Sequence, residues 1–403
     1  MKGAALNAVA RMLVILLQLI NVKLYTNYLD AGQLGIYFFL LTVSYSANAI
    51  LFVPVDYYQQ ANLAKVMDAA GGARPLLNFN GRLAALYLCF SLLAIAACAV
   101  IKPGYTVYAA LAVALAFALY AVQALRNTLN NLEHRTCVSV SFIQESVFKV
   151  LLFYLLVRYF KADESLLIDA WLISLGLYCS YLFYKAYSYR VFIASCSYPI
   201  RAKEVFNFSY PFSIGAVCNW LQLQGYRLIL VPLGFAEEVG AFATISNIGS
   251  SAIGAASLVY SQQFTPLIYK TSGQYTSKYL KGAIAVIISV ALVFAVFGEF
   301  AVRLLTSSGF EQHWSLLLFG VMTDGGNLLI GALMIYITLN GNTKKIFASS
   351  LVGLMTMAAC FGWLYWSSNI SILTIGAPLL ISQWAVVYYM YSLYRRTARA
   401  TSH

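Results

Sequence analysis

The sequence predicts an all-α polytopic membrane protein of about twelve transmembrane helices arranged as two six-helix lobes, and three observations predict it. Of 403 residues, 61% are hydrophobic and only 10% charged, and the mean hydropathy is +0.74; a water-soluble chain of this length has too little interior to hide that much apolar surface. The apolar residues fall into about twelve stretches, each long enough for the roughly 20 helical residues that cross a hydrocarbon slab about 30 Å thick. Lys and Arg fall almost only in alternate connections.

The expected spans cover residues 4–27, 34–57, 82–101, 105–125, 137–160 and 165–186, then 207–231, 238–261, 280–302, 315–340, 346–366 and 370–393. Their apolar runs are continuous rather than alternating, which selects helices over β-barrel strands of about ten residues. The first run continues past Ala8-Val9-Ala10, so it reads as a helix and not as a cleaved signal.

With the N-terminus in the cytoplasm, the inside connections and tails hold 18 basic residues, Arg126 among them, and the outside holds only Lys102, Arg158, Lys161 and Arg303. Both termini are therefore expected in the cytoplasm. The net charge of +12 is then a topology signal and an attraction to anionic membrane lipids, not a nucleic-acid footprint. Seven cysteines and three histidines show no C-x-x-C or Cys/His ligand spacing, so neither disulfides, metal nor a cofactor is expected.

The hydrophobic map divides into residues 1–200, which include six spans and most of a basic linker over about 187–206, and residues 201–403, with six more spans and a basic tail. An even number of spans per half makes the repeats parallel, related by a pseudo-two-fold axis along the membrane normal. Gly35 and Gly240, about 205 residues apart, each precede an aromatic residue by two positions, Tyr37 and Phe242.

At 100° per residue, Asn7, Arg11, Gln18 and Asn21 of the first span fall within an arc of about 80°. Ser213, Trp220, Gln224 and Arg227 of the seventh fall within about 60°. Asn7, Gln18 and Asn21 match Ser213, Gln224 and Arg227 at a shift of about 206 residues. Polar side chains also join helices inside bundles, but two symmetry-related polar faces more naturally line a shared cavity. Most of the 30 tyrosines and 25 phenylalanines sit at span ends as an interfacial belt; Trp220 stands apart because it shares the polar face.

The polar first helix, the Gly35-to-Tyr37 entry to the second span, and Tyr210-Pro211-Phe212 through Arg227 to Gly240-Ala241-Phe242 resemble the polysaccharide repeat-unit (O-antigen) flippases of the multidrug/oligosaccharidyl-lipid/polysaccharide exporter superfamily. The resemblance covers essentially the whole chain in span count and lobes, on short motifs. It implies a V-shaped pair of six-helix bundles like that of the multidrug exporters (MATE), working as a monomer in the bacterial inner membrane. By alternating access such a protein moves an undecaprenyl-pyrophosphate-linked oligosaccharide to the periplasmic leaflet, for O-antigen, lipopolysaccharide, capsule or exopolysaccharide synthesis. A polysaccharide polymerase and a chain-length regulator are the implied partners.

Eight ionisable residues fall within the expected spans: Arg11, Lys23, Asp56, Glu145, Lys149, Asp169, Arg227 and Asp324. Each costs about 2.5–3.5 kcal/mol on insertion scales unless partnered or hydrated. Lys23, Asp56, Asp169 and Arg227 lie near helix ends, where snorkelling or capping accounts for them, and Glu145 with Lys149 forms an i,i+4 pair. A pyrophosphate head would bring negative charge into this apolar middle, and cations facing a cavity answer that need. Arg11 is the first candidate because a guanidinium holds phosphate oxygens bidentately and stays charged. Lys149 and Arg227 follow, with Asn7, Gln18, Asn21, Trp220 and Gln224 as contacts to sugar.

No nucleotide-binding loop is present, so a proton or sodium gradient is the expected drive, with Asp324 or Glu145 as the carboxylate. Asp324 precedes Gly325-Gly326 and Asn327, a pair that either loosens the helix or forms a packing notch. A cation-coupled multidrug or small-molecule exporter of the same superfamily is the alternative. A polytopic polymerase is the enzyme alternative; it would need a long charged outside loop, and none exceeds about fifteen residues.

Overall fold

The computed structural model describes residues 2–193, 199–340 and 344–400; the side chains of 2–12, 51, 53–54, 211–212, 344 and 399–400 lie outside that description. Among the described residues there is helix and no strand. The elements are α1 (Lys2–Tyr28), α2 (Ala31–Ala47), a π-helical turn (Asn48–Phe52), α3 (Val53–Ala70), α4 (Arg74–Ile101), α5 (Thr106–Asn131), α6 (Arg135–Val157) and α7 (Glu164–Ser188). They continue as α8 (Ala202–Leu230), α9 (Ala236–Lys270), α10 (Thr276–Leu305), α11 (Leu316–Leu339), α12 (Lys344–Trp366) and α13 (Gly376–Ala400).

Taking α2, the π turn and α3 as one rod bent by 45°, the described residues hold one rod for each expected span. Pro54 at the start of α3 has no amide proton to continue the helical ladder, and a π turn absorbs the break. Eight helices are long and apolar enough to cross a bilayer, and the bent pair makes a ninth. Of the other three, α8 and α13 are long enough but are interrupted by Asn219, Gln222, Gln224 and Arg227 and by Ser382 and Gln383. The third, α1, begins in residues whose side chains are undescribed.

The chain forms two compact units, residues 1–28 with 39–213 and residues 29–38 with 214–403. In the first, α6 packs on α1 and α7, α5 on α7 and α4, and α3 on α4 and α5. Asp163 caps α7 by accepting the Leu166 amide at 2.8 Å, satisfying one of the free donors of a helix start.

In the second unit α11 is the central rod, packed against α9, α10 and α13, with α12 against α13. Its core is aliphatic, with Ile253, Ile287, Val321, Leu329, Leu333 and Met390 all buried. The beginning of α2 also belongs here, and it starts on a reciprocal capping box: the Gln33 amide donates to Asp30 Oδ1 at 2.8 Å and the Asp30 amide to Gln33 Oε1 at 3.1 Å. That pair fixes the entry of α2, where Gly35 meets the backbone of Ala236 and Gly240 meets that of Ala31. The two sites differ by the same interval in sequence, so this contact has the self-complementary form of a two-fold crossing.

Candidate functional site

The polar site of the second unit is built on a close approach of α9 and α11. A side chain at Gly249 would overlap the Leu317 carbonyl, and one at Gly320 would overlap the Ser246 carbonyl; small residues here let the two backbones nearly touch. One turn beyond Gly320 on the same face stands Asp324, and one turn beyond Ser246 stands Ser250, whose hydroxyl is a neighbour of that carboxylate. A cavity of about 90 Å³ opens beside them, lined by Gln224, Arg227, Asn247, Ser250, Thr323 and Asp324 among others. It has room for a few waters or one phosphate-sized group, not for a sugar chain.

Arg227 is buried, with its Nε donating to Tyr226 Oη at 2.9 Å and its guanidinium carbon 5.0 Å from the centre of the Phe38 ring. Among the described residues no carboxylate lies within ion-pair distance of it. Gln224 lines the same cavity, and its Oε1 is buried without a hydrogen-bond partner. The cavity wall thus presents a guanidinium held on an aromatic face beside an open amide oxygen.

Asp324 is held from behind by a line of amides. Asn327 Nδ2 donates to Asp324 Oδ1 at 2.8 Å, Gln383 Nε2 donates to Asn327 Oδ1 at 2.7 Å, and Gln222 Nε2 donates to Gln383 Oε1 at 3.1 Å. Every amide in the line points its donor toward the carboxylate, so the dipoles reinforce one another. Two glycines make room for it. A Cβ on Gly326 would stand 2.7 Å from Gln383 Cγ, and one on Gly353 would overlap Gln222 Oε1. The glycine pair Gly325-Gly326 therefore acts as a packing notch; α11 runs unbroken through it, and the loosened-helix alternative does not apply.

In the first unit Glu145 and Lys149 are part of a larger cluster. Arg126 is buried on α5; it is not the cytoplasmic connection residue that the charge pattern suggested, because α5 continues to Asn131. Its NH1 meets Glu145 Oε2 at 2.8 Å, its Nε and NH2 donate to Ser141 Oγ and the Ser141 carbonyl, and Phe142 and Tyr178 face it at 4.0 and 4.9 Å. Trp171 Nε1 donates to Glu145 Oε1 at 3.3 Å, and Lys149 Nζ stands 3.8 Å from the centre of the Trp171 ring. Glu145 thus serves a buried arginine before anything else.

Of the candidates read from sequence, Gln224, Arg227 and Asp324 meet at one cavity. Glu145 and Lys149 share the cluster on α6. Asn21 is buried in the first unit with Oδ1 unpartnered, Gln18 is exposed, Trp220 is half-buried, and Ser213 is satisfied on its own helix by the Ser209 carbonyl. The side chains of Asn7 and Arg11 lie outside the described residues. Sequence reasoning missed Arg126, Asn247, Ser250 and the amide line. The available signal was Gln383 standing alone in an apolar span, and Gln222, which a helical wheel sets about 160° from Gln224.

No family model and no curated protein matches the sequence. Solved structures do match the fold along its whole length. A multidrug resistance MATE family transporter of the MOP superfamily, in an inward-facing conformation, superposes with a TM-score of 0.71 at 14% identity over 98% of both chains. The Vibrio cholerae MATE transporter VcmN matches at 0.58 and 14% identity over 98% of this chain and 96% of that one. A MOP superfamily transporter from Pyrococcus furiosus, whose binding pocket of reversed polarity suggests a different function for it, matches at 0.59 and 12% identity over 100% and 96%. The chain has the fold of these MATE transporters.

Proposed function

We propose that this chain is a transporter that carries an undecaprenyl-pyrophosphate-linked oligosaccharide repeat unit across the bacterial inner membrane by alternating access. The observation that carries the reading is Arg227, a buried guanidinium at a polar cavity with no carboxylate within ion-pair distance among the described residues. An unpaired buried cation is costly, and an anionic headgroup relieves that cost. The cavity suits one phosphate rather than sugar, so Arg227 takes the headgroup, with Lys149 and Arg11 as further cationic contacts. Gln18, Asn21 and Trp220, with Asn7, are the polar candidates for sugar, while Gln224, first read as a sugar contact, shares the headgroup cavity with Arg227.

Asp324 is the proposed coupling carboxylate for a proton or sodium ion. It shares the cavity with Arg227, so a cation on Asp324 and a phosphate on Arg227 alter each other's electrostatics at short range. Expected partners are the lipid-linked substrate, membrane lipids, a polysaccharide polymerase and a chain-length regulator; the chain acts as a monomer without nucleic acid.

A second reading is a cation-coupled multidrug exporter, favoured by the kind of proteins that share the fold and by Asp324 at the cavity. Deleting the gene separates the two. The flippase reading expects lipid-linked repeat units to accumulate on the cytoplasmic leaflet while surface polysaccharide is lost, with rescue by the wild-type gene. Normal glycan together with new sensitivity to small organic cations would establish the exporter instead.

A further inference from the structure

The first unit contains an acidic residue that none of the roles above employs. Asp56 stands in the first turn of α3, directly after the π-helical turn, and only 7% of its surface is exposed. Its Oδ2 accepts from Asn127 Nδ2 at a long 3.2 Å. Its Oδ1 is buried and has no hydrogen-bond partner among the described residues. Arg126, the neighbour of Asn127 on α5, is turned to Glu145.

Across from it on α5 is Tyr120, 3% exposed, whose hydroxyl is likewise buried and unpartnered. The Tyr120 ring stacks on Phe52 at 3.8 Å, and Phe52 lies one turn before Asp56 on the same face. One turn after Asp56 comes Gln59, whose Nε2 donates to Thr128 Oγ1 at 2.7 Å and whose Oε1 accepts from Asn80 at 2.7 Å. Asp56 is thus held between a hydrogen-bonded amide and the Phe52 ring that stacks on Tyr120. Tyr87 of α4 also stands against Phe52, at 5.2 Å.

Two buried oxygens on the facing helices α3 and α5, neither with a hydrogen-bond partner among the described residues, are each left with an unmet desolvation cost. A cation meets it at both, since a carboxylate oxygen and a phenol lone pair are both hard oxygen ligands. We infer that Asp56 Oδ1 and Tyr120 Oη form the protein side of a site for one small monovalent cation, a sodium ion or a proton, at the bend between α2 and α3. This site is separate from Asp324, which lies in the other unit.

The test uses the full chain in detergent with Asp324→Asn already in place, so that the proposed coupling carboxylate contributes nothing. Sodium-22 binding and the infrared band of a protonated carboxylic acid are measured with and without Asp56→Asn. A single bound sodium that disappears in Asp56→Asn, and is weakened at least about tenfold by Tyr120→Phe, supports a sodium site. Absence of sodium binding with a protonated-acid band that Asp56→Asn removes, and Tyr120→Phe shifts, supports a proton. Sodium binding and infrared spectrum both unchanged by Asp56→Asn, or neither signal in the starting protein, overturns the inference. Should Asp56→Asn fail to fold, Tyr120→Phe alone decides, because it keeps the ring on Phe52 and removes only the oxygen; unchanged signals in it count against the site.

Discussion

Gly35 and Gly240 each stand where a side chain would overlap the backbone carbonyl at the start of the other's helix, Gly35 against Ala236 and Gly240 against Ala31. The crossing is reciprocal, and each half of it is an Ala-x-x-x-Gly step. Small residues four apart put one face of each helix at backbone distance, and the capping box of Asp30 and Gln33 fixes the approach on one side.

Gly35→Ala and Gly240→Ala are therefore expected to destabilise the fold by about 1–3 kcal/mol each, read as a lower thermal midpoint in detergent. Gly331→Ala is the control. No atom lies within 4 Å of a Cβ built there, so it gains about 0.5–1 kcal/mol from better helix propensity.

Gln383→Leu is expected to cost about 1–3 kcal/mol for each amide group that it strands, since Gln222 loses an acceptor and Asn327 a donor. In a cycle with Asn327→Leu, thermal unfolding should give a coupling energy of about 0.5–3 kcal/mol. Strict additivity would mean that the line is two independent contacts.

Arg126→Ala is expected to lower stability by about 1–3 kcal/mol, because the part-buried Glu145 loses its closest charged hydrogen-bond partner. Arg126→Met with Glu145→Met should recover much of that loss. Unfolding midpoints of the single and double variants check this.

Asp324→Asn keeps the size of the side chain and removes its charge. The coupling role expects transport by this variant to lose its dependence on external pH or sodium. If transport keeps the wild-type dependence, coupling runs through another group.

The twelve rods were legible because long apolar runs report helices directly, and Gly35 and Gly240 stood out in sequence as a matched pair at a place where backbone proximity tolerates nothing larger. Helix ends were less so. The second rod continues to Ala70, α4 starts at Arg74 and α9 runs to Lys270, all beyond the apolar windows, since a helix can extend into polar surroundings that hydropathy does not mark. The site was legible where a polar residue shares a face with others, as for Gln224 and Arg227. Arg126 was not, because a basic residue at the edge of an apolar run reads as a loop charge until Glu145 and Ser141 on α6 are seen to surround it. Nor was the line from Gln222 to Asp324, whose members come from α8, α13 and α11 and meet only in the fold.

The most direct measurement reconstitutes the purified chain in vesicles and follows undecaprenyl-pyrophosphate-linked oligosaccharide from one leaflet to the other by its accessibility to an added glycosidase, comparing wild type, Arg227→Lys and Arg227→Ala. The account expects flipping by the wild type, partial flipping by Arg227→Lys, which keeps the charge but loses the two-pronged grip on phosphate, and loss in Arg227→Ala at equal protein level. Flipping at the wild-type rate by Arg227→Ala, or none by the wild type under a proton or sodium gradient, would contradict it.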